Sequence, residues 1–227
     1  MIDGKPGRPT LYPPFTSPRS LELIVSPDQT RYAYVAFEPF QDHKCSQVIL
    51  GGVDGPKFNG KTSRISGLQF STDSQHFLYM ATTTAPGSTT ATKYLVMDGK
   101  QEAFDGDFVL FSPDLRRSLV CRGSQVFGDG KPKASPGEDF QFLEARFSAD
   151  SRHLAYVGRN SAHRYVIVLD GRKSPEFVDI FVDAEWDSDQ SHPERKEPVK
   201  KLPPFSPDGK LRYLAQQGNA ICYVTQE

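Results

Sequence analysis

The residues able to do chemistry in this chain are few. Two acids, Glu22 and Glu144, stand in strand-like apolar runs, with Gln69 and Arg146 in runs of the same class. Two carboxylates held roughly 5 to 9 Å apart can divide the protonation and attack steps of glycosidic-bond hydrolysis. Five histidines, His43, His76, His153, His163 and His192, show neither H-x-x-x-H nor H-E-x-x-H spacing, so no metal set is expected. Cys45, Cys121 and Cys222 are odd in number and far apart; Cys121 and Cys222 lie inside apolar runs and read as buried thiols. There is no Gly-x-Ser-x-Gly elbow, and Gly128-Asp129-Gly130-Lys131 lacks the spacing of a phosphate-binding loop. No cofactor is expected. Hydrolysis by Glu22 and Glu144 is the alternative reading, behind a binding role.

The aspartates belong to a different pattern. Ser-x-Asp ends an apolar run five times, at Ser26-Pro27-Asp28, Ser71-Thr72-Asp73, Ser112-Pro113-Asp114, Ser148-Ala149-Asp150 and Ser206-Pro207-Asp208. Asp-Gly alternates with it, at Asp3-Gly4, Asp54-Gly55, Asp98-Gly99, Asp129-Gly130 and Asp170-Gly171. In Ser-Pro-Asp, proline presets φ for a type I turn and the aspartate accepts local backbone bonds. Asp-Gly supplies the positive φ values of a tight hairpin. Their strict alternation marks an array of like supersecondary units.

Each unit reads as four short strands. The first ends at Ser-x-Asp (Leu23-Ile24-Val25, Leu68-Gln69-Phe70), and the second follows it (Arg31 to Val35, His76 to Met80, His153 to Val157). The third ends at Asp-Gly (Gln47 to Leu50, Tyr165 to Leu169), and a weaker fourth follows around Lys57-Phe58, Ala103-Phe104 and Phe177-Val178. β-Branched and aromatic residues fill these runs, and no window carries a helical stripe. The expected fold is all-β: a single five-bladed propeller of four-stranded antiparallel blades over residues 1–227. The blades fall near 21–58, 66–105, 107–134, 143–179 and 202–227, with 1–12 completing the last and closing the ring.

At Phe205-Ser206-Pro207-Asp208-Gly209-Lys210-Leu211-Arg212-Tyr213-Leu214-Ala215, and again at Phe147 to Val157, the chain resembles the WD40-like repeat of TolB-type β-propellers. Val168-Leu169-Asp170-Gly171-Arg172-Lys173 resembles a hairpin common in such bacterial repeat proteins. The resemblance implies a repeat scaffold used for protein binding, and leaves function open, because propellers serve as platforms, gates and enzymes. Glycosidases occur among five-bladed ones. There Glu22, Gln69, Glu144 and Arg146 would face the central channel.

In a four-stranded unit both tight turns lie at one end, and the second-to-third connections lie at the other. All ten signals fall at the first end. The longer connections fall at the second: Phe37 to Ser46, Ala81 to Thr92, Gly158 to Arg164 and, with the between-unit links, Asp183 to Pro204. Loops on a rigid scaffold carry binding groups. The expected binding residues are therefore Phe37, Phe40, His43, Arg159, His163, Trp186 and Arg195. Ala81 to Thr92, rich in Thr and Ala around Pro86-Gly87, reads as a mobile linker.

Composition narrows the partners. Net charge is −1, so no general field draws nucleic acid or an anionic membrane. No run approaches a membrane span, and the proline-rich first residues do not form a leader peptide. The expectation is a soluble monomer with a protein or peptide partner, its compartment open between the cytoplasm and an exported site.

Overall fold

The computed structural model describes residues 23–40, 43–133, 140–181 and 202–227. All regular elements among them are strands. The first sheet comprises β1 (Leu23–Val25), β2 (Tyr32–Phe40), β3 (His43–Leu50) and β4 (Val53–Asp54), with β5 (Phe58–Gly60) returning to β3. The second holds β6 (Thr62–Phe70), β7 (Phe77–Thr84), β8 (Ala91–Met97) and β9 (Lys100–Phe104). The third holds β10 (Phe108–Phe111), β11 (Ser118–Arg122), β12 (Gln125–Gly128) and β13 (Lys131–Pro132). The fourth holds β14 (Gln141–Phe147), β15 (Leu154–Arg159), β16 (Tyr165–Leu169) and β17 (Arg172–Lys173). The fifth has three strands, β18 (Asp179–Phe181), β19 (Leu211–Gln217) and β20 (Ala220–Gln226). Every pairing is antiparallel between chain neighbours, β5 excepted, so each sheet runs up and down.

The chain divides into two compact units, 1–105 and 106–227. The first carries the first two sheets around Ala33, Val35, Val48, Phe58, Phe77 and Tyr79. The second carries the remaining three around two clusters. Leu119, Phe140, Phe147 and Tyr156 fill one, and Ile167, Phe177, Leu211 and Tyr213 fill the other.

The Ser-x-Asp motif is a hydrogen-bonded turn. In the first four copies the buried serine Oγ donates to the aspartate Oδ1 at 2.5–2.6 Å. It also accepts from the N–H of Arg31, His76, Arg117 or His153 at 2.9 Å. Gln29, Ser74, Leu115 and Ser151 complete these turns at φ between +59° and +63°. In the fifth copy that position is Gly209, and Ser206 N–H closes on Lys210 O, a turn one residue shorter.

Asp-Gly forms the expected hairpin turn at Asp98-Gly99, Asp129-Gly130 and Asp170-Gly171, where both residues have positive φ. At Asp54-Gly55 the expectation fails. The turn there is Gly51-Gly52, at φ +55° and +84°, and Asp54 lies in β4 beyond it. A Gly-Gly pair meets the positive-φ requirement without strain and takes the turn three residues earlier.

Two further expectations need correction. Ala81 to Thr92 is a strand hairpin, with β7 and β8 paired out to Thr84 and Ala91 around a Pro86-Gly87 turn. Threonine is β-branched and favours strands, so a Thr-rich run ending at Pro-Gly is ribbon rather than linker. The first strand of the fifth sheet is Asp179–Phe181, which begins at the residue where the fourth blade was read to end. Leu202 to Phe205 contributes a single bridge, Phe205 to Leu211. Pro203 and Pro204 have no N–H to give a ladder. Among the described residues this strand runs to Phe181, which pairs with Leu214.

Candidate functional site

At the turn end, the side chain after each Ser-x-Asp turn reaches outward from it. His76 Nδ1 meets Asp98 Oδ2 at 2.8 Å, while Asp98 Oδ1 accepts Phe77 N–H at 2.9 Å. His153 and Asp170 repeat this at 2.7 Å, with Leu154 N–H at 2.9 Å. Each aspartate of a third-to-fourth strand turn thus pins the start of the second strand. Arg31 and Arg117 hold the equivalent place in the first and third sheets. Arg31 lies over the Phe70 ring at 5.3 Å and donates to Ser74 O. Arg117 lies over Phe147 at 5.3 Å and donates to Ser151 O at 3.1 Å. Backbone bonds from Asp28 to Ser74 Oγ and from Asp114 to Ser151 Oγ, 3.0 and 3.1 Å, add to these clasps. The first sheet is tied to the second and the third to the fourth, turn to turn.

These contacts set the electrostatics. The Ser26 hydroxyl and the Thr30 N–H hold Asp28 down at about 2. The Ser148 hydroxyl and Arg152 N–H lower Asp150 likewise. Burial pushes the Cys121 thiol up to about 12, with the Asp107 carboxylate adding to it. Among the described residues no group of three or more His, Cys, Asp or Glu is placed to hold a metal ion.

At the opposite end, the first unit carries two long hairpins. The β2–β3 hairpin is paired to its tip, Phe40 opposite His43. Phe37, on the face that holds Ala33 and Val35, is 50% exposed. The side chains of Phe40 and His43 lie outside the described residues. β5 pairs with Lys44 to Ser46, Lys61 N–H bonds Thr84 O at 2.8 Å, and the Ser46 and Ser63 hydroxyls bond each other. Thr62 Oγ1 donates to Thr84 Oγ1 at 3.0 Å. The two hairpins are knitted into one ledge.

In the second unit, Arg159 ends β15, paired with Tyr165, and His163 lies in the β15–β16 connection. His163 is exposed at φ +58°, and Asn160 closes the turn through Arg164 N–H and O at 2.9–3.0 Å. Trp186, Arg195 and Glu22 lie outside the described residues. Gln69 is half-buried opposite Leu78. Glu144 and Arg146 sit two apart on one face of β14, 3.3 Å from Nη2 to Oε1. The second oxygen of Glu144 accepts Leu202 N–H, three residues before the Phe205 bridge. A cleft of about 450 Å³ opens beside them at the turn end, lined by Arg146, Phe147, Asp150, Phe205 and Pro207.

No protein-family model and no curated protein matches this chain. Among solved structures it is similar to TolB from Acinetobacter baumannii, at 18% identity and TM-score 0.41 over 91% of this chain and 52% of that one. It is similar to Kuenenia stuttgartiensis hydrazine synthase, at 14% and 0.34 over 90% of this chain and 70% of that one. A Bacteroides fragilis protein described as a candidate 6-phosphogluconolactonase matches at 9% and 0.36, over 90% and 83%. The chain spans about half the length of the TolB structure.

Sequence reasoning passed over the clasp residues Arg31 and Arg117. Their signal was a large cationic or imidazole side chain five residues after each of the first four motif serines, visible once His76 and His153 are aligned with them; the fifth copy has Leu211 there.

Proposed function

We propose that the five sheets are blades of a β-propeller and that the chain is a non-enzymatic scaffold. It binds a protein or peptide partner at the hairpin end, with Phe37 in the contact surface. The observation that carries this is the ledge in the first unit, where Phe37 is half exposed on two hairpins knitted by β5, Lys61 and paired hydroxyls. A large aromatic on a support that does not need ordering loses little entropy when covered, and aromatics are favoured in the buried centres of interfaces. The engagement of both Glu144 oxygens, by Arg146 and by Leu202 N–H, supports a scaffold over acid–base chemistry at that carboxylate.

A photoreactive phenylalanine analogue placed at position 37, and separately at Gln75 on the turn end, tests the reading in extracts of the source organism. Adducts from position 37 and none from 75 are expected. Adducts from 75 alone would transfer the binding surface to the turn end.

A further inference from the structure

The fifth sheet has one covered side and one open side. Residues opposite each other in an antiparallel pair point to the same side. Ile180, Leu211, Tyr213 and Ala215 point inward and are at most 4% exposed. Phe181 pairs with Leu214, Leu214 with Tyr223, and Gln216 with Ile221, so these residues share the outer side. Phe181 is 41%, Leu214 45%, Ile221 66% and Tyr223 67% exposed. They make one apolar surface across three strands, in a place where scattered single side chains would need no explanation but a row does.

We propose that this side is a homodimer interface, two copies stacking their fifth sheets about a two-fold axis. Packed sheets lie about 10 Å apart with side chains interdigitating, and the two-fold places the same residues of both copies in one layer. The charges permit it. The charged strand residues on this side are of opposite sign, Asp179 opposite Gln216 and Arg212 opposite Thr225, and Asp208 holds the Arg212 guanidinium at 3.0 Å. β20 carries no charge from Ala220 to Gln226. The whole chain carries only −1, so two copies repel weakly. At about 150–250 Å² per fully buried aromatic, the four partly exposed side chains withdraw roughly 400 Å² per copy. That is about half of the roughly 800 Å² per partner of a standard interface, and Arg212, Gln216 and Thr225 form a polar rim for the remainder. The inference is independent of the hairpin ledge, which belongs to the other unit.

Sedimentation equilibrium of the full chain over a wide concentration range tests it. The expected result is a mass rising from one chain of 25.3 kDa to two. Ile221→Glu and Tyr223→Glu are each expected to weaken dimerisation at least tenfold with unchanged circular dichroism and melting. Either exposed position suffices if the other variant misfolds. Val25→Glu, on the exposed side of β1, is expected to leave the dimer intact. A single-chain mass at every concentration overturns the proposal. If Ile221 and Tyr223 are then also shielded from solvent labelling, the side is covered from within the chain. Dissociation by Val25→Glu as strong as by Tyr223→Glu would overturn the two-fold arrangement.

Discussion

Asp28 shows what a single carboxylate does in this scaffold. It takes the Ser26 hydroxyl, the Thr30 N–H and the Thr30 hydroxyl on its two oxygens, and all three favour its charged form. Its folded value, about 2, lies below the ordinary 3.8. A depressed folded value contributes stability that is complete above the unfolded value and lost as pH falls through the folded one. Asp150 is lowered by its own serine in the same way, and Asp208 first by Arg212. Melting temperature is therefore expected to hold down to about pH 4 and to fall between about pH 4 and pH 2. Asp28→Asn should flatten part of that slope in a thermal-melt series; an unchanged slope would remove Asp28 from the account. Ser148→Ala tests the other partner. It strips the buried acceptor from His153 N–H, and a cost of about 1–2 kcal/mol is expected in urea unfolding. The turn itself was legible in the sequence, because Ser, Pro and Asp carry its chemistry locally. The clasp was not. It joins Arg31 to Phe70 and Ser74, pairs that meet only after two sheets have formed.

Among elements, regular alternation was legible and interruption was not. The second and third strands of each unit were read nearly where they lie, since β-branched and aromatic residues dominate them. The fifth sheet was misplaced because Asp179–Phe181 and Phe205 belong to one interrupted strand line. Sequence proximity favoured Leu202 to Phe205, while the ladder favoured the segment that retains its N–H groups. The candidate site followed the same rule: the exposed position of Phe37 could be anticipated, but its knitted support depends on β5 doubling back to β3. A bulge also explains a glycine. β14 shifts register between Phe142 and Glu144, opposite Gly158, and Phe140 lies against that glycine. A Cβ on Gly158 would fall 1.9 Å from the Phe140 ring and 2.5 Å from Gln141 O. Phe140 is buried and cannot swing to solvent. Gly158→Ala is expected to cost about 3 kcal/mol by overpacking, read as a lower urea midpoint. Gly158→Ala combined with Phe140→Leu should recover part of that loss.

At the scale of the molecule, neighbouring sheets share cores within each unit, and the cores follow the two units. In such an array stability is close to a sum of unit and neighbour terms, so damage stays near its origin. Phe77 is the sharpest probe. It is 2% exposed and packs on Phe70 at 4.8 Å and Tyr79 at 5.9 Å, all within the first unit. Removing its ring leaves a cavity costing about 3–5 kcal/mol. The loss should appear first in amide exchange of β6, β7 and β8, whose ladders enclose that core. Amides of β15 and β16, around Tyr156 and Ile167, should keep most of their protection, since they pack in the other unit. Hydrogen-exchange mass spectrometry of Phe77→Ala against wild type decides between the two behaviours. Equal loss in both units would mean that the fold melts as one cooperative body, and that the repeat visible in the sequence is a repeat of form without independence of stability.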